Sequence, residues 1–268
     1  KRGIALEDSK YGVDSRYGGP EYETIAALGT NLNILDLKAI AKANEICNRY
    51  CMDTISAGLV IAFACECFEK GVITKADTDG LELRFGDPDL VIQLLEMVAK
   101  REGFGDLLAE GVTRLAHRWK VSDQPYHLAV KGMELPMHDP RVKVGVGISY
   151  AAYLYGSDNM NSPHDTLFFD EKFNSFQSVK PLGIYKAMHP TQITNEKVRA
   201  YALLDNLWKM MDALGLCVFG FAPRGVMSLD LMIQCLNAVT GWNTNLFELM
   251  KAAERSTMMA RAFNSLEG

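Results

Sequence analysis

The sequence of 268 residues predicts a mainly α, multihelical protein with two all-α domains. Three observations support this prediction. Apolar residues recur at helical spacing along most of the chain, capping residues stand before those apolar runs, and short β-like pieces are confined to one stretch near the middle. The sequence changes character near residues 125–130, so the predicted domains are 1–128 and 129–268.

The first domain is predicted to contain four helices. Asp36 and Asp87 have side chains that favour N-cap positions, and Pro88 suits the first turn that follows. Gly71 and Gly103 offer helix ends, because glycine adopts the left-handed conformation that closes a helix. The predicted helices cover about 37–50, 54–71, 88–102 and 104–119.

The second domain is predicted to begin with irregular structure and to end in helices. Residues 126–155 combine β-like pieces with Pro140 and Gly145, and residues 157–190 are rich in loops. Helical periodicity then returns, and Gly215 offers the C-cap of the first of these later helices. The predicted helices cover about 195–214, 229–239 and 246–263.

Composition and charge argue against several classes of function. A hydrophobic share of 48% and a charged share of 23% are typical of a soluble globular protein, and a net charge of −5 argues against a nucleic-acid partner. The longest apolar stretch, residues 58–67, is too short to span a bilayer. No N-terminal signal sequence is recognisable, and the predicted location is the cytoplasm.

The six cysteines do not have the spacing of a disulfide scaffold. Four of them, Cys47, Cys51, Cys65 and Cys67, lie in or next to two neighbouring predicted helices. A four-thiolate zinc site is conceivable, but such sites ordinarily use loops rather than the interiors of two helices. Ordinary buried cysteines are therefore expected, and Cys51 is interpreted as a small core residue rather than a ligand.

Six segments of the chain form a series that occurs in one protein family. The most specific are residues 19–29, 43–56 and 212–217, and the others are residues 101–106, 108–111 and 135–141. In this order they resemble the second and third domains of the aldehyde:ferredoxin oxidoreductase family, a group of tungsten bis-pterin enzymes. The resemblance implies that the complete protein also has a β-rich N-terminal domain and a C-terminal tail.

The resemblance implies two cofactors in the full-length protein, a tungsten bis-pterin and a [4Fe–4S] cluster. In the family's motif D-x-x-G-L-C, Asp212 would accept two N–H groups from the pterin edge, and Gly215 and Leu216 would form the turn behind it. Cys217 would ligate the cluster as a thiolate. From the residues alone, the competing interpretation is a helix C-cap followed by a buried cysteine.

The first pterin-binding motif departs from the family pattern. Relatives typically read D-x-x-G-L-D, whereas this chain has Asn48, Cys51 and Asp53 at the first, fourth and sixth positions. The resemblance assigns Asn48 and Asp53 to the cofactor. Asn48 has one acceptor oxygen and donors of its own, so it imitates a carboxylate only in part.

Four residues are candidates for the reaction centre. The resemblance places Glu23 beside the metal, where a carboxylate can move a proton, although a glutamate at a helix start also interacts with backbone amides. Asn159 stands at the cofactor position where aldehyde-oxidising relatives have a histidine, and asparagine cannot exchange a proton near neutral pH. His164 and His138 are the candidate replacements, and each also has an ordinary structural interpretation.

The predicted function of the full-length protein is oxidation of an aldehyde to a carboxylic acid, with electrons passed to ferredoxin or an electron-transfer subunit. Reduction of an aromatic acyl-CoA, as in benzoyl-CoA-reductase-like relatives, is the alternative with the same fold. A non-catalytic helical interaction module is the alternative from another class. The chain alone is expected to be inactive, and a homodimer is a further assembly to test.

Overall fold

The protein is mainly α-helical, which confirms the predicted fold class. The structure is a computed structural model that describes residues 3–7, 10–220 and 227–267. The chain divides into two compact units, Lys1–Met137 and His138–Gly268.

The first unit contains six helices and one hairpin in its described residues. They are α1 (Tyr22–Leu28), α2 (Leu37–Arg49), α3 (Thr54–Glu69), α4 (Pro88–Lys100), α5 (Phe104–Leu108), α6 (Val112–Arg118) and the antiparallel strands β1 (Ala129–Val130) and β2 (Met133–Glu134). The predicted caps are confirmed. Asp36 accepts hydrogen bonds from the first turn of α2, and Asp87 accepts them from the first turn of α4.

Helix α3 is the centre of the first unit, because it packs against α1, α2, α4, α5, α6 and β2. Its apolar residues point in every direction, as expected of a helix surrounded by other elements. Cys65 and Cys67 of α3 and Cys47 of α2 are buried in this core, and burial raises the pKa of each thiol to about 12. These three are therefore neutral core thiols at neutral pH, as expected.

No single helix among the described residues is long and apolar enough to cross a membrane. Helices α2 and α3, with a bend of 117° between them, meet that test jointly by length and composition only.

The prediction of one helix over 104–119 is wrong, since the structure has α5 and α6 there. The chain breaks at Gly111, whose φ of +81° lies in the left-handed region. Glu134 Oε1 then accepts a hydrogen bond from Val112 N at 2.8 Å, at the start of α6. A side chain from the hairpin thus takes the place of a local cap, which periodicity along the helix does not reveal.

The β1–β2 hairpin belongs to the first compact unit in the structure. Strand β2 packs on α3 and α6, and Glu134 makes the bond to the start of α6 described above. The predicted boundary after residue 128 follows a change in sequence character, whereas the structural division follows these contacts and falls after Met137.

The second unit contains five helices in its described residues. They are α7 (Val144–Ala152), α8 (Asn174–Ser178), α9 (Asn195–Ala213), α10 (Leu229–Thr240) and α11 (Leu246–Glu267). Helix α9 is central and packs against α7 and α11. Phe168, Phe176, Leu204 and Leu207 are fully buried in the surrounding core.

The prediction of irregular structure over 126–155 misses α7. The residue before this helix, Lys143, provides no side-chain cap. The cap comes instead from Asp165, whose two carboxylate oxygens accept hydrogen bonds from Gly145 N and Val146 N at 3.1 Å each. Lys197 Nζ pairs with the same buried carboxylate at 2.7 Å. The glycine and proline content of 126–155 predicts loops, but long-range contacts make part of it helical.

Candidate active site and cofactor-binding turns

The first motif, residues 48–53, forms a tight turn at the end of α2. Cys51 has a φ of +56°, in the left-handed region. The next residue, Met52, donates its N–H to Cys47 O at 2.8 Å, which satisfies a carbonyl in the last turn of the helix. The interpretation of Cys51 as a core residue is wrong, because this turn directs it outward and it is exposed.

The second motif, residues 212–217, forms the same turn at the end of α9. Gly215 has a φ of +67°, and Leu216 donates its N–H to Met211 O at 2.9 Å. Both turns therefore have a left-handed residue at the fourth motif position, followed by a hydrogen bond back across five residues. We call them the first turn and the second turn.

Asp53 ends the first turn and begins α3. Its Oδ2 accepts a hydrogen bond from Ser56 N at 2.7 Å, so this carboxylate is the N-cap of α3. Asp53 is exposed and lines a cavity of about 470 Å³, to which Arg101, Glu110 and Glu134 also contribute. The first turn thus presents a fixed carboxylate at the edge of an open cavity.

Asn48, at the first position of the first turn, uses its amide to hold a neighbouring segment. Its Nδ2 donates to Tyr17 O at 2.8 Å and to Asn44 Oδ1 at 3.2 Å. A carboxylate in the same place would face the carbonyl oxygen of Tyr17 without a proton to donate. The departure from the family's aspartate therefore has a structural reason.

Asp212 and Cys217 are both exposed in the second turn. The Asp212 carboxylate lies 3.6 Å from Lys209 Nζ, one helical turn earlier. Cys217 O accepts a hydrogen bond from Gly220 N at 2.9 Å, which continues the chain in a further turn. The competing interpretation of a buried cysteine is wrong, because the thiol of Cys217 faces solvent in the described structure.

The two candidate histidines lie side by side in the second unit. The rings of His138 and His164 are edge to face, with centroids 4.3 Å apart. Lys143 Nζ lies 2.9 Å from His138 Nδ1 and 3.4 Å from His164 Nδ1. Lys143 was not predicted as a site residue. Its position five residues after His138 was the only indication in the sequence that the two side chains could meet.

The hydrogen bonds of His164 assign its tautomer. Its Nε2 lies 2.9 Å from Asn159 O, and a carbonyl oxygen only accepts, so Nε2 carries the proton. Nδ1 then has the lone pair that accepts from the Lys143 ammonium. His164 and Asn159 are both buried, with exposed fractions of 5% and 4%. The structure therefore places Asn159, His164 and His138 in one group around Lys143.

Glu23 is half-buried in α1 and holds the end of the first unit. Its Oε2 accepts a hydrogen bond from Met137 N at 2.9 Å, and Tyr22 OH donates to Met137 O at 3.0 Å. Met137 immediately precedes His138 in the sequence.

The described residues fit the expected pterin better than the expected [4Fe–4S] cluster. Asp53 and Asp212 are exposed carboxylates, each contacted by a group of its own unit, and a carboxylate suits an edge of adjacent N–H donors such as that of a pterin. No group of three or more His, Cys, Asp or Glu in residues 3–7, 10–220 and 227–267 is arranged to hold a metal ion. Cys217 can supply one thiolate to a cluster, and the other ligands must come from elsewhere.

The described residues thus form two mainly helical units, with equivalent turns at the ends of α2 and α9. Residues 1–268 match the family model described as "Aldehyde ferredoxin oxidoreductase, domains 2 & 3", and the chain belongs to this family. This confirms the resemblance on which the site residues were selected.

The chain is similar to tungsten-containing aldehyde ferredoxin oxidoreductases of two Pyrococcus species. It is 38% identical to that of Pyrococcus abyssi and 38% identical to that of Pyrococcus horikoshii, in each case over 93% of this chain and 39% of the relative. The chain therefore spans about two fifths of the length of these relatives.

Two further similarities are to proteins named for other substrates. The chain is 33% identical to the "Aliphatic sulfonate oxidoreductase, WOR-like subunit" of Pyrococcus furiosus, over 53% of this chain and 24% of that protein. Its fold is similar to the active site complex BamBC of benzoyl coenzyme A reductase in complex with 1,5-dienoyl-CoA. The TM-score is 0.69 and the identity 22%, over 96% of this chain and 43% of that chain. At this identity the likeness shows the fold alone.

Proposed function

We propose that this chain is part of a tungsten bis-pterin, [4Fe–4S] oxidoreductase that oxidises an aldehyde to a carboxylic acid. Electrons would pass to ferredoxin or an electron-transfer subunit. The observation that carries the proposal is the pair of equivalent turns, each of which presents an exposed carboxylate at a helix end. Relatives named for tungsten and ferredoxin, matched over 93% of this chain, support it.

Asp53 and Asp212 would bind the pterins through their amino-pyrimidinone edges. A carboxylate can accept two adjacent N–H groups side by side, which fixes the orientation of a planar ring. Asn48, Gly215, Leu216 and Asn159 stay as predicted cofactor contacts. The amide nitrogen of Asn48 donates to Tyr17 O and Asn44 Oδ1. Asn48 would therefore contact the cofactor through its side-chain oxygen, as an acceptor.

When bound, the tungsten centre would supply two-electron redox chemistry and the cluster one-electron transfer. Oxidation of an aldehyde with water gives the carboxylic acid, two electrons and two protons. Cys217 would hold the cluster at the end of the second turn. The protein side chains must bind and orient the substrate and remove the protons.

The group formed by His138, Lys143 and His164 is suited to move a proton. His164 has both ring nitrogens engaged, with Asn159 O at 2.9 Å and Lys143 at 3.4 Å, so its role is to orient Lys143. His138 is only half-buried, and its Nδ1 faces the Lys143 ammonium at 2.9 Å. We assign proton transfer to His138 and Lys143, which replaces the function of the family histidine absent at Asn159. Glu23 stays as the predicted carboxylate beside the metal.

Reduction of an aromatic acyl-CoA is the second candidate function. The observation that favours it is Asn159, because the residue at this position differs from the histidine of aldehyde-oxidising relatives. The similarity in fold to a benzoyl coenzyme A reductase complex is compatible with it. The non-catalytic interaction module remains as the hypothesis that the chemical test must exclude.

The experiment is metal analysis and a substrate comparison on the anaerobically purified full-length protein. About one tungsten and four irons per chain, with an electron paramagnetic resonance signal of a reduced cluster, are expected. Aldehydes, aromatic acyl-CoA thioesters and aliphatic sulfonates are then compared as substrates, and turnover of aldehydes is the expected outcome. Absence of both metals would contradict the enzyme proposal, and turnover of an acyl-CoA or sulfonate alone would contradict the aldehyde assignment.

A further inference from the structure

Lys209 on α9 has a buried ammonium group that the proposed reaction does not use. The residue is 7% exposed, and its Nζ lies 3.1 Å from Asn161 Oδ1 and 3.2 Å from Asn161 O. The ring centroid of Tyr153 lies 4.0 Å from the same Nζ. Burial of an ammonium is unfavourable unless hydrogen bonds or an aromatic face replace its water. These contacts therefore fix where the ammonium and its partners can lie.

Asn161 lies at the middle of residues 157–165, which we call the buried segment. Its residues have no helix or strand hydrogen bonds up to the 3₁₀ turn that begins at Asp165, yet most of them are buried. Such a segment must be held by side chains. Asn161 Oδ1 also accepts from Tyr153 OH at 3.1 Å, and its Nδ2 donates to Tyr155 OH and Asp158. Lys209 is the residue of α9 that contacts Asn161, while Lys197 of the same helix pairs separately with Asp165 at the end of the segment.

The same ammonium faces the second turn. Lys209 Nζ lies 3.6 Å from Asp212 Oδ2, and the Asp212 side chain is 59% exposed while that of Lys209 is 8% exposed. One buried cation thus contacts the buried segment on one side and the exposed carboxylate of the second turn on the other. The buried segment also contains Asn159 and His164, which bond to each other at 2.9 Å.

We propose that Lys209 is a positioning residue that ties the buried segment to the second turn. The tie keeps Asn159 and His164 in a constant geometry relative to the Asp212 carboxylate. The expected effect of this tie on cofactor binding rests on the proposed function. The tie itself rests only on the contacts of Lys209.

A matched control is available on α11. Lys251 and Glu254 form an ion pair at the same spacing of three residues, with an N–O distance of 2.6 Å, but both side chains are about half exposed. An exposed pair of this kind contributes little to structure. Lys251→Met therefore removes the same chemical group from the same kind of pair without touching a buried segment.

The test is hydrogen–deuterium exchange of the full-length protein, comparing wild type, Lys209→Met and Lys251→Met. In Lys209→Met the amides of 157–165 and 212–216 are expected to exchange about tenfold faster, with α10 unchanged. Lys251→Met should match wild type. Exchange that is unchanged in Lys209→Met, or equally faster throughout the second unit, would overturn the proposal. If Lys209→Met does not fold, Lys209→Gln, which keeps a donor at the site, is judged by the same criteria.

Bound pterin, released and measured by its fluorescence after oxidation, gives the second readout. Lys209→Met is expected to retain less pterin than wild type, and addition of Asp212→Asn should lower it little further, because the two residues act together. Fully additive losses would contradict a role through Asp212. A wild type without pterin but with selective exchange in Lys209→Met would refute the proposed function and leave the tie intact. A wild type that contains pterin, together with no selective exchange in Lys209→Met, would leave the proposed function intact and refute the tie.

Discussion

The first turn and the second turn have the same backbone and different supports. In the first turn the left-handed residue is Cys51, and Asp53 is at once the last residue of the turn and the N-cap of α3. In the second turn the left-handed residue is Gly215, and Asp212 is the first residue, facing the buried ammonium of Lys209. A helix follows the first turn directly, whereas a further turn of chain follows the second.

This difference shows two ways to hold a carboxylate that is also proposed to bind a ligand. A carboxylate that caps a helix is fixed by backbone N–H groups, so its position depends on the helix behind it. A carboxylate beside a buried lysine is fixed by charge, so its position depends on the protonation of that lysine. The first arrangement should be insensitive to mildly alkaline pH and the second sensitive to it. The following predictions test the comparison.

The largest effect is expected on cofactor retention when either carboxylate is removed. Asp53→Ala and Asp212→Ala should each lower bound pterin and tungsten about tenfold or more, because a charge-assisted pair of hydrogen bonds is lost. Elemental analysis and pterin fluorescence of the purified full-length variants measure this. Asp230→Asn, at an exposed aspartate of α10, is the control. Normal cofactor content in either alanine variant would contradict the assignment of that residue.

The same pair of variants separates the two supports by stability. Asp53→Ala should also lower the free energy of unfolding by about 1 kcal/mol, since it removes the N-cap of α3, while Asp53→Asn keeps a capping oxygen and should not. Asp212→Ala removes no cap. Thermal unfolding of the three variants provides the comparison. Equal losses in Asp53→Ala and Asp53→Asn would show that charge, not capping, supports the first turn.

A pH dependence is expected from the second turn only. Burial lowers the pKa of Lys209 to about 8, and the Asp212 carboxylate offsets this in part. Between pH 8 and the ordinary lysine value of 10.5, the unfolded chain holds the proton that the folded chain has lost. The free energy of unfolding from this group therefore rises with pH over that window. After allowance for screening, the rise is about 1–2 kcal/mol.

Unfolding of wild type and Lys209→Met across pH 7–11 isolates this contribution. The difference in stability between the two proteins should shift in favour of wild type as the pH rises through 8. A difference that stays constant with pH would mean that folding does not lower the pKa of Lys209. Lys251→Met, at the exposed pair, should show no such trend.

Asn48→Asp is expected to weaken the support of the first turn. The substitution restores the family's residue but sets a carboxylate oxygen against Tyr17 O, where Asn48 Nδ2 now donates at 2.8 Å. A loss of about 1 kcal/mol in the free energy of unfolding is expected. Asn48→Ala, which loses the bond without adding charge, is the control and should cost less. A gain in stability in Asn48→Asp would show that another group offsets the charge.

The smallest effects concern the left-handed positions, and they should have opposite signs in the two turns. Cys51→Gly removes a side chain from a residue with φ +56° and should stabilise the protein by about 0.5 kcal/mol or more. Gly215→Ala adds one at φ +67° and should destabilise it by about 1 kcal/mol. Thermal unfolding measures both. Changes of the same sign would mean that side-chain contacts, rather than backbone conformation, dominate one of the turns.

Local signals in the sequence were sufficient for the helix ends around both turns. Asp36 and Asp87 cap the helices that they were predicted to cap, and Gly215 closes α9 as predicted. Glycine in the family pattern pointed to a left-handed position, yet that pattern did not prevent Cys51 from being interpreted as core. The conformation of the backbone, not the size or polarity of the side chain, decides the exposure of this residue.

Local sequence signals were enough to predict the helical class and the main helix boundaries, because caps, periodicity and left-handed closures act over a few residues. That α7 is a helix depends on a tertiary contact, because its cap, Asp165, lies about twenty residues away in the chain. The tertiary structure likewise brought Lys143 between His138 and His164, and Lys209 against Asn161. Contacts between side chains distant in sequence depend on how the helices pack, and no local pattern encodes that packing.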